Sequence, residues 1–226
     1  MPLPQTRLPT PKRDGSRFQR IFGLSPGEER IRAEEEFTFD DQMSRMETRT
    51  DQRVEQLQRE GENLFKQATM SGADSVLKQQ DLRRVMRVFT SVRHLDAEAY
   101  VPCLLGAHAC LEREKVASAL NFLTAAAHRQ PEAFRDSQTV ASYYGDLDEQ
   151  TGRSHRLDRL MREYVRQTSA GSTLDSALLE AYCALVLGEK SRATAALEKA
   201  ENLINQGASS SGGLEELLEA IRYALS

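Results

Sequence analysis

Tryptophan is absent from this 226-residue sequence, aromatic side chains make up only 6% of it, and there are three cysteines. These three, Cys103, Cys110 and Cys183, cannot form a disulfide framework, and each lies among apolar residues. A reduced, cytoplasmic compartment is therefore expected. No stretch approaches the roughly 20 apolar residues that a membrane span needs. The N-terminus also lacks the apolar core of a secretory signal peptide, so none is expected.

Side chains that favour β-strands are scarce. Valine, isoleucine and threonine are too few for several strands, whereas the strong helix formers alanine, leucine, glutamate, arginine and glutamine are abundant. Hydrophobic residues make up 39% of the chain and the mean hydropathy is -0.55, which suits a folded protein with polar extensions. The composition predicts an all-α fold of one or two domains.

Motifs that carry catalysis are missing as well. The sequence has no phosphate-binding glycine loop, no nucleophile elbow, no H-E-x-x-H helix and no paired C-x-x-C. Cys103 and Cys110 share a helix face with apolar neighbours, which favours buried structural thiols over a metal site. The carboxylates at 34–36 and 40–41 lie on a polar stretch, which favours a solvated face over acid–base chemistry. We therefore expect no enzymatic activity, no cofactor and no bound metal.

Charge is distributed unevenly along the chain, although the formal net charge is only -4. Residues 1–25 carry five basic groups against one aspartate, and residues 26–51 carry nine acidic groups against four arginines. The basic segment also contains four prolines within residues 1–11, and such dense proline spacing prevents a helix from propagating. Residues 1–25 are therefore predicted to be a disordered tail.

Two interpretations of this tail remain open. It is either a solvated extension or a short docking motif that orders on contact with a partner. The apolar and basic residues of a docking motif would be Arg17, Phe18, Arg20, Ile21 and Phe22.

A helix is predicted to begin after Ser25, because Pro26 suits the first helical position and Glu28 completes a capping box. It is expected to continue to about residue 70. Its acidic part, residues 26–51, has scattered apolar positions, and it either is solvated or packs on a partner. Further helices are expected at 77–93, 97–112, 114–129, 132–144, 154–167, 174–187 and 190–205, followed by a glycine-serine linker at 207–213 and an amphipathic helix at 214–226.

One helix template recurs at a 34-residue interval. Ala119 corresponds to Val85, Leu123 to Phe89, and Ala126 to Val92. The same small-large-small pattern returns at Ala193, Leu197 and Ala200. These nine positions are predicted to form one recurring packing contact, because small side chains on one helix admit a large side chain from another.

The pattern of Ala119, Leu123, Ala126 and Pro131 resembles the second helix of a tetratricopeptide repeat (TPR). The resemblance covers about residues 52–205, within a predicted repeat domain at 52–206. It is degenerate: Pro102 falls inside an expected first helix, and Arg153 replaces a small residue. It implies a superhelical array of helix hairpins with a concave groove that binds a peptide or helix of another protein.

The resemblance also implies which residues line that groove. They would be outward-facing residues of the first helices, namely Glu98, His108, Glu112, Gln138, Tyr143 and Glu180. Because these helices carry mainly acidic and small side chains, an apolar or basic ligand segment is expected. We accordingly expect a cytoplasmic adaptor or chaperone-like module.

The alternative function is that of a structural subunit, anchored in a larger assembly by its N-terminal tail and long helix. Nucleic-acid binding is disfavoured, because only the tail has the required basic charge. The C-terminal helix either caps its own array or occupies the groove as an autoinhibitor.

Overall fold

The structure is a computed structural model that describes residues 39–70, 75–96, 98–135, 138–144, 146–207 and 213–226. The chain forms two compact units, residues 1–49 and 50–226. The tail docking residues 17–22 and the acidic stretch up to residue 38 lie outside the described residues. The packing reported below belongs to the second unit.

The prediction of an all-α fold is confirmed for the described residues. Their one strand-like feature is an isolated antiparallel bridge between Leu147 and Ser154. The helices are α1 (Phe39–Met70), α2 (Ser75–Leu95), α3 (Val101–Leu111), α4 (Val116–Arg129), a 3₁₀ helix (Pro131–Arg135), α5 (Gln138–Ala141), α6 (His155–Thr168), α7 (Leu174–Val186), α8 (Lys190–Asn205) and α9 (Leu214–Leu225).

Helices α3 and α7 form the centre of the second unit. All residues of α3 from Pro102 to Leu111 are buried, and so is α7 apart from two half-buried residues in its first turn. Helix α3 begins at Val101 rather than near residue 97, so Pro102 lies in its first turn, where a missing backbone N–H costs nothing. Pro102 therefore does not kink the helix. A helix that is apolar all round must be covered on every side, and helices of the same chain cover both.

The hairpins α3–α4 and α7–α8 have equivalent structures, offset by 74 residues in the sequence. The amide of Lys115 donates to the carbonyl of Cys110 at 2.9 Å, and the amide of Glu189 donates to that of Ala184 at 2.9 Å. The turn residues preceding these amides, Glu114 (φ 56°) and Gly188 (φ 73°), both have a left-handed backbone. One turn geometry therefore closes both hairpins.

The nine residues of the recurring template are all buried. Eight of them are fully inaccessible and Leu197 is 5% exposed. Helices α2, α4 and α8, which carry the template, each pack against a central helix: α2 and α4 against α3, and α8 against α7. The template thus recurs where an outer helix meets an inner one.

The prediction of a single helix at 132–144 is wrong in its extent. Residues 131–135 form a 3₁₀ turn, and α5 is only four residues long. Helix α9 packs on this segment and also against α4, α7 and α8. The 3₁₀ helix and α5 are too short to bury much apolar surface by themselves. The amphipathic helix α9 therefore provides the apolar contacts that a longer helix at 132–144 would have provided.

Substitutions at the two copies of the shared turn are expected to change the stability of the second unit in opposite directions. Gly188→Ala is expected to destabilise the second unit by about 1 kcal/mol, because a left-handed backbone is unfavourable for residues with a Cβ. Glu114→Gly is expected to be neutral or to stabilise by up to about 1 kcal/mol, since strain is relieved while unfolded-state entropy rises. Urea denaturation of both variants checks this. Equal destabilisation by both substitutions would contradict a shared turn geometry.

Candidate functional site

The residues predicted to line a groove do not share an open surface. His108 is 0% exposed and Glu180 is 7% exposed, so the expectation that they face outward is wrong for both. The physical reason is that α3 and α7 lie inside the helical layer that carries the recurring template. Helix patterning alone does not distinguish a buried polar side chain from one that faces a ligand.

His108 is the centre of a buried hydrogen-bonded triad. Its Nδ1 lies 3.0 Å from the hydroxyl of Tyr144, and its Nε2 lies 2.7 Å from that of Tyr182. A neutral imidazole has one donor and one acceptor nitrogen, so one tyrosine donates and the other accepts. His108 and Tyr182 occupy equivalent positions of the two hairpins, 74 residues apart, and their bond joins α3 to α7.

Aromatic rings extend this triad across the core. Phe65 of α1 contacts Tyr144 edge-on with 5.3 Å between ring centroids, and Phe134 of the 3₁₀ helix contacts Tyr182 at 5.9 Å. The five rings therefore connect α1, α3, α7 and the 3₁₀ segment. Sequence reasoning missed Tyr144 and Tyr182, although the equivalence of residues 108 and 182 under the 74-residue offset was a signal available in the sequence.

Burial shifts the pKa values of the interior groups. It lowers the pKa of His108 to about 3, because the charged imidazolium is poorly solvated there. Burial also raises the pKa of Cys110 to about 12 and raises the pKa values of Cys103 and Cys183. The thiols are thus protonated at neutral pH and poor nucleophiles, which favours a structural role.

Glu112 lies in an ionic cluster that joins three helices at the C-terminal end of α3. Its carboxylate, whose side chain is 6% exposed, pairs with Lys78 of α2 and with Arg156 of α6, the latter at 3.4 Å. The hydroxyl of Tyr164 donates to the nearby carbonyl of Leu111 at 2.6 Å. Because its charge is already neutralised, Glu112 is poorly placed to recognise a partner.

The other predicted groove residues are dispersed. Glu98 is exposed in the segment before α3, and its amide donates to Asp96 at 2.8 Å. Tyr143 is half-buried with the ammonium of Lys66 5.0 Å from its ring centroid. Its pKa is raised by burial and by a hydrogen bond to Glu62. Gln138 begins α5, and its side chain lies outside the described residues. Glu180 pairs with Arg192 of α8 at 3.2 Å.

Exposed charged faces occur instead on outer helices, among them α6 and α2. Helix α6 presents a stripe with Arg159, Arg162 and Arg166, where Arg162 pairs with Glu189 at 3.5 Å and Arg166 with Glu163 at 2.8 Å. Helix α2 presents a second, more strongly basic face. These surfaces can form ion pairs but contain no buried reactive group.

Metal ligation and membrane insertion find no support in the part of the chain that the structure describes. Within those residues, no group of three or more histidine, cysteine, aspartate or glutamate side chains could hold a metal ion. Across the same ranges, no helix is long and apolar enough to cross a membrane.

Comparison with known proteins gives no assignment: no family model, no curated protein and no solved structure matches this chain. The function must therefore be inferred from the geometry of the molecule.

The lowered pKa of His108 predicts a pH dependence of stability. Since the ordinary value is 6.5 and the folded value is about 3, the unfolded chain binds the proton more readily. Stability is complete above pH 6.5 and is lost as pH falls toward 3. Between about pH 7.5 and about pH 5 the loss is about 2 kcal/mol. Urea denaturation at both pH values measures it.

His108→Gln tests the origin of this loss, because glutamine retains a donor and an acceptor but does not titrate. Its stability is expected to fall by about 2 kcal/mol less over the same pH range. His128→Gln, at an exposed position, is the matched control and should behave as the unsubstituted protein. An unchanged pH dependence in the His108 variant would contradict the assignment.

Proposed function

We propose that this protein is a non-catalytic protein–protein interaction module built from TPR-like helix hairpins. The observation that carries the proposal is the division between inner and outer helices. The inner helices α3 and α7 are buried and hold His108 and Cys183, whose pKa values are shifted by burial, whereas the outer helices α2 and α6 carry exposed charge. A rigid core with charged outer faces suits recognition of a macromolecular surface.

The histidine and cysteine side chains whose pKa values are shifted are inaccessible to solvent, which argues against a small-molecule site around them. Catalytic groups with shifted pKa values ordinarily lie in clefts that substrates can enter. Here, His108 and Cys183 are 0% exposed, and no cysteine or tyrosine lines the surface cavities on α2 and α6. The expectation of an apolar or basic ligand segment depended on first helices that line a groove. Because those helices are buried, the exposed arginines favour an acidic ligand segment instead.

A second candidate function, that of a structural subunit in a larger assembly, is favoured by α1. The described side chains of its first part, residues 44 and 46–49, are all exposed. A polar helical stretch with exposed side chains suits packing against a neighbouring subunit. In this alternative the contact would lie in the first unit.

Photo-crosslinking of the full-length chain in native extract tests both candidates. The crosslinking amino acid is placed at Gln80 of α2, at Arg159 of α6, or at Glu47 of α1, all exposed positions. A defined protein crosslinked from Gln80 or Arg159 supports the interaction module. A crosslink from Glu47 alone supports the structural subunit. The absence of a reproducible crosslink from all three positions would contradict both functions.

A further inference from the structure

Of the helices that the structure describes, α2 has the largest excess of basic over acidic residues, in a chain whose formal net charge is -4. It carries five lysine and arginine residues and one aspartate. Its exposed face contains Arg83, Arg84, Arg87, Ser91 and His94. Positions 83, 87, 91 and 94 follow one another at helical spacing, so they lie along one side of the helix. At 1.5 Å per residue the row is about 16 Å long.

The charges of this face are largely uncompensated. Arg84 pairs with Glu60 of α1 at 2.9 Å, and both side chains are exposed. Arg83 and Arg87 form no ion pair or hydrogen bond through their side chains with any residue that the structure describes. The surface therefore presents two unpaired guanidinium groups four residues apart.

A cavity of about 500 Å³ continues the row at the C-terminal end of α2. Its lining includes four basic side chains, those of Arg93, His94, His128 and Arg129, and one acidic side chain, that of Glu216. His94 and His128 are equivalent under the 34-residue spacing of the template. The repeat thus places two imidazoles beside two guanidinium groups.

Both guanidinium groups in this cavity are held by the fold. Arg129 donates to the carbonyl of Ala125 at 2.8 Å and to that of Arg93 at 3.3 Å. The guanidinium carbon of Arg93 lies 5.4 Å from the ring centroid of Phe122. Cations that are already oriented lose little side-chain entropy on binding an anion.

We propose that the α2 face, defined as Arg83, Arg87, His94 and the basic cavity beside His94, is a docking surface for an acidic segment of another protein. This proposal rests on the proposed interaction function and names the partner's chemistry. Charge complementarity selects the occupant. Carboxylates four residues apart on a helix, or two apart on an extended chain, match the roughly 6 Å between successive arginines along α2.

An acidic protein segment fits this face better than nucleic acid. Single-stranded nucleic acid is usually bound by aromatic side chains on which bases stack. The large hydrophobic side chains exposed in the described part of the chain include one aromatic, Tyr223, whose ring is engaged by Arg135. Beside His94 lies instead an aliphatic side chain, Leu95, which is 46% exposed and can contact an apolar residue of a peptide.

Fluorescence anisotropy with the full-length protein tests the proposal. The probe is a labelled peptide of about 20 residues that carries glutamate on one helical face in an alanine background. Arg83→Glu combined with Arg87→Glu is expected to weaken binding at least about tenfold, because two attractions become repulsions. Increasing salt should also weaken binding to the unsubstituted protein.

The matched control is Arg162→Glu combined with Arg166→Glu, which makes the same charge change at the same spacing at exposed positions of α6. This variant should bind within about twofold of the unsubstituted protein. Arg83→Gln combined with Arg87→Gln should bind with intermediate affinity. Circular dichroism establishes that each variant is folded.

Several results would overturn the proposal. They are no binding of the glutamate peptide even at low salt, equal binding of a peptide with glutamine in place of glutamate, equal weakening by the α6 control, and tighter binding of single-stranded DNA or of phosphatidylserine vesicles. If these results occur while Gln80 or Arg159 still crosslinks to a protein, the interaction function stands and this partner chemistry fails.

Discussion

A chain that ends at Gly207 and so lacks α9 is expected to lose the cooperative folding of what remains of the second unit, residues 50–207. Helix α9 packs against the 3₁₀ segment, α4, α7 and α8. Its buried residues are Leu214, Leu217, Leu218, Ala220 and Ile221. Three of them, Leu217, Ala220 and Ile221, are fully inaccessible, so removal of the helix would leave an apolar surface open to water.

The expected effect is comparable to the whole stability of a domain. Burying one leucine or isoleucine side chain contributes about 1.5–3 kcal/mol, so four such residues contribute roughly 6–12 kcal/mol. Net stabilities of domains are about 5–15 kcal/mol. Ordering the 12 residues of α9 costs a comparable free energy. The stabilisation therefore comes also from the apolar side chains of α4, α7 and α8 that α9 covers.

Arg135 connects the C-terminal end of α9 to the 3₁₀ helix through hydrogen bonds. Its Nε and Nη2 each donate to the carbonyl of Tyr223 at 3.2 Å, and Nη2 also lies 3.1 Å from Oγ of Ser226. The guanidinium carbon lies 3.8 Å from the ring centroid of Tyr223. The C-terminus of α9 is thus joined to the segment whose short helices it covers.

Urea denaturation followed by circular dichroism measures the effect of removing α9. Leu217→Ala is a milder variant that should cost about 2–5 kcal/mol, and Glu219→Ala, at an exposed position of α9, should cost about 0.5 kcal/mol or less. The truncated protein is expected to aggregate or to lose its unfolding transition. A folded truncated protein with increased partner binding would instead identify α9 as an autoinhibitor.

His108→Leu is expected to destabilise the second unit by about 2–6 kcal/mol. Leucine fills much of the space but leaves the hydroxyls of Tyr144 and Tyr182 without their hydrogen-bond partner in the core. Each buried polar group that loses its partner costs about 1–3 kcal/mol. His155→Leu, at an exposed position, is the control and should change stability by about 0.5 kcal/mol or less.

Removing the two hydroxyls separates hydrogen bonding from packing. Tyr144→Phe and Tyr182→Phe, introduced together into the His108→Leu variant, should recover most of the lost stability, because no unpaired hydroxyl remains. Thermal or urea unfolding of the single, double and triple variants gives the coupling free energy. If the triple variant is no more stable than His108→Leu, the loss comes from altered packing of the imidazole site, and the triad is not the cause.

Local patterns predicted most elements of this fold. Apolar residues at helical spacing located α2, α4, α6, α7, α8 and α9 to within about two residues, because each buries one stripe or its whole surface against neighbours. The predicted extent of the helix at 132–144 was wrong. The apolar residues of this segment are compatible with one long helix, but in the structure they are covered by α9. That contact joins residues about 80 positions apart in the sequence.

The candidate surface was harder to predict than the helices. Glu112 and Glu180 are polar residues at helical positions that also suit a ligand-binding groove, yet their side chains are largely buried and paired with Arg156 and Arg192. Pairing depends on which side chains meet across helices, and helical periodicity does not specify it. Arg83 and Arg87 were visible in the sequence, but it did not show that their side chains have no ion-pair partner among the residues that the structure describes.

The sequence by itself determined the helical class, the recurring small-large-small template and the turns that close the hairpins, because these depend on contacts within one turn of helix or one hairpin. Tertiary structure alone decided that α3 and α7 are interior and that α9 completes the core. It alone also decided that His108 bonds two tyrosines, whereas Arg83 and Arg87 have no ion-pair partner among the described residues. Those properties depend on contacts between residues far apart in the chain, whose geometry exists only once all the helices are packed.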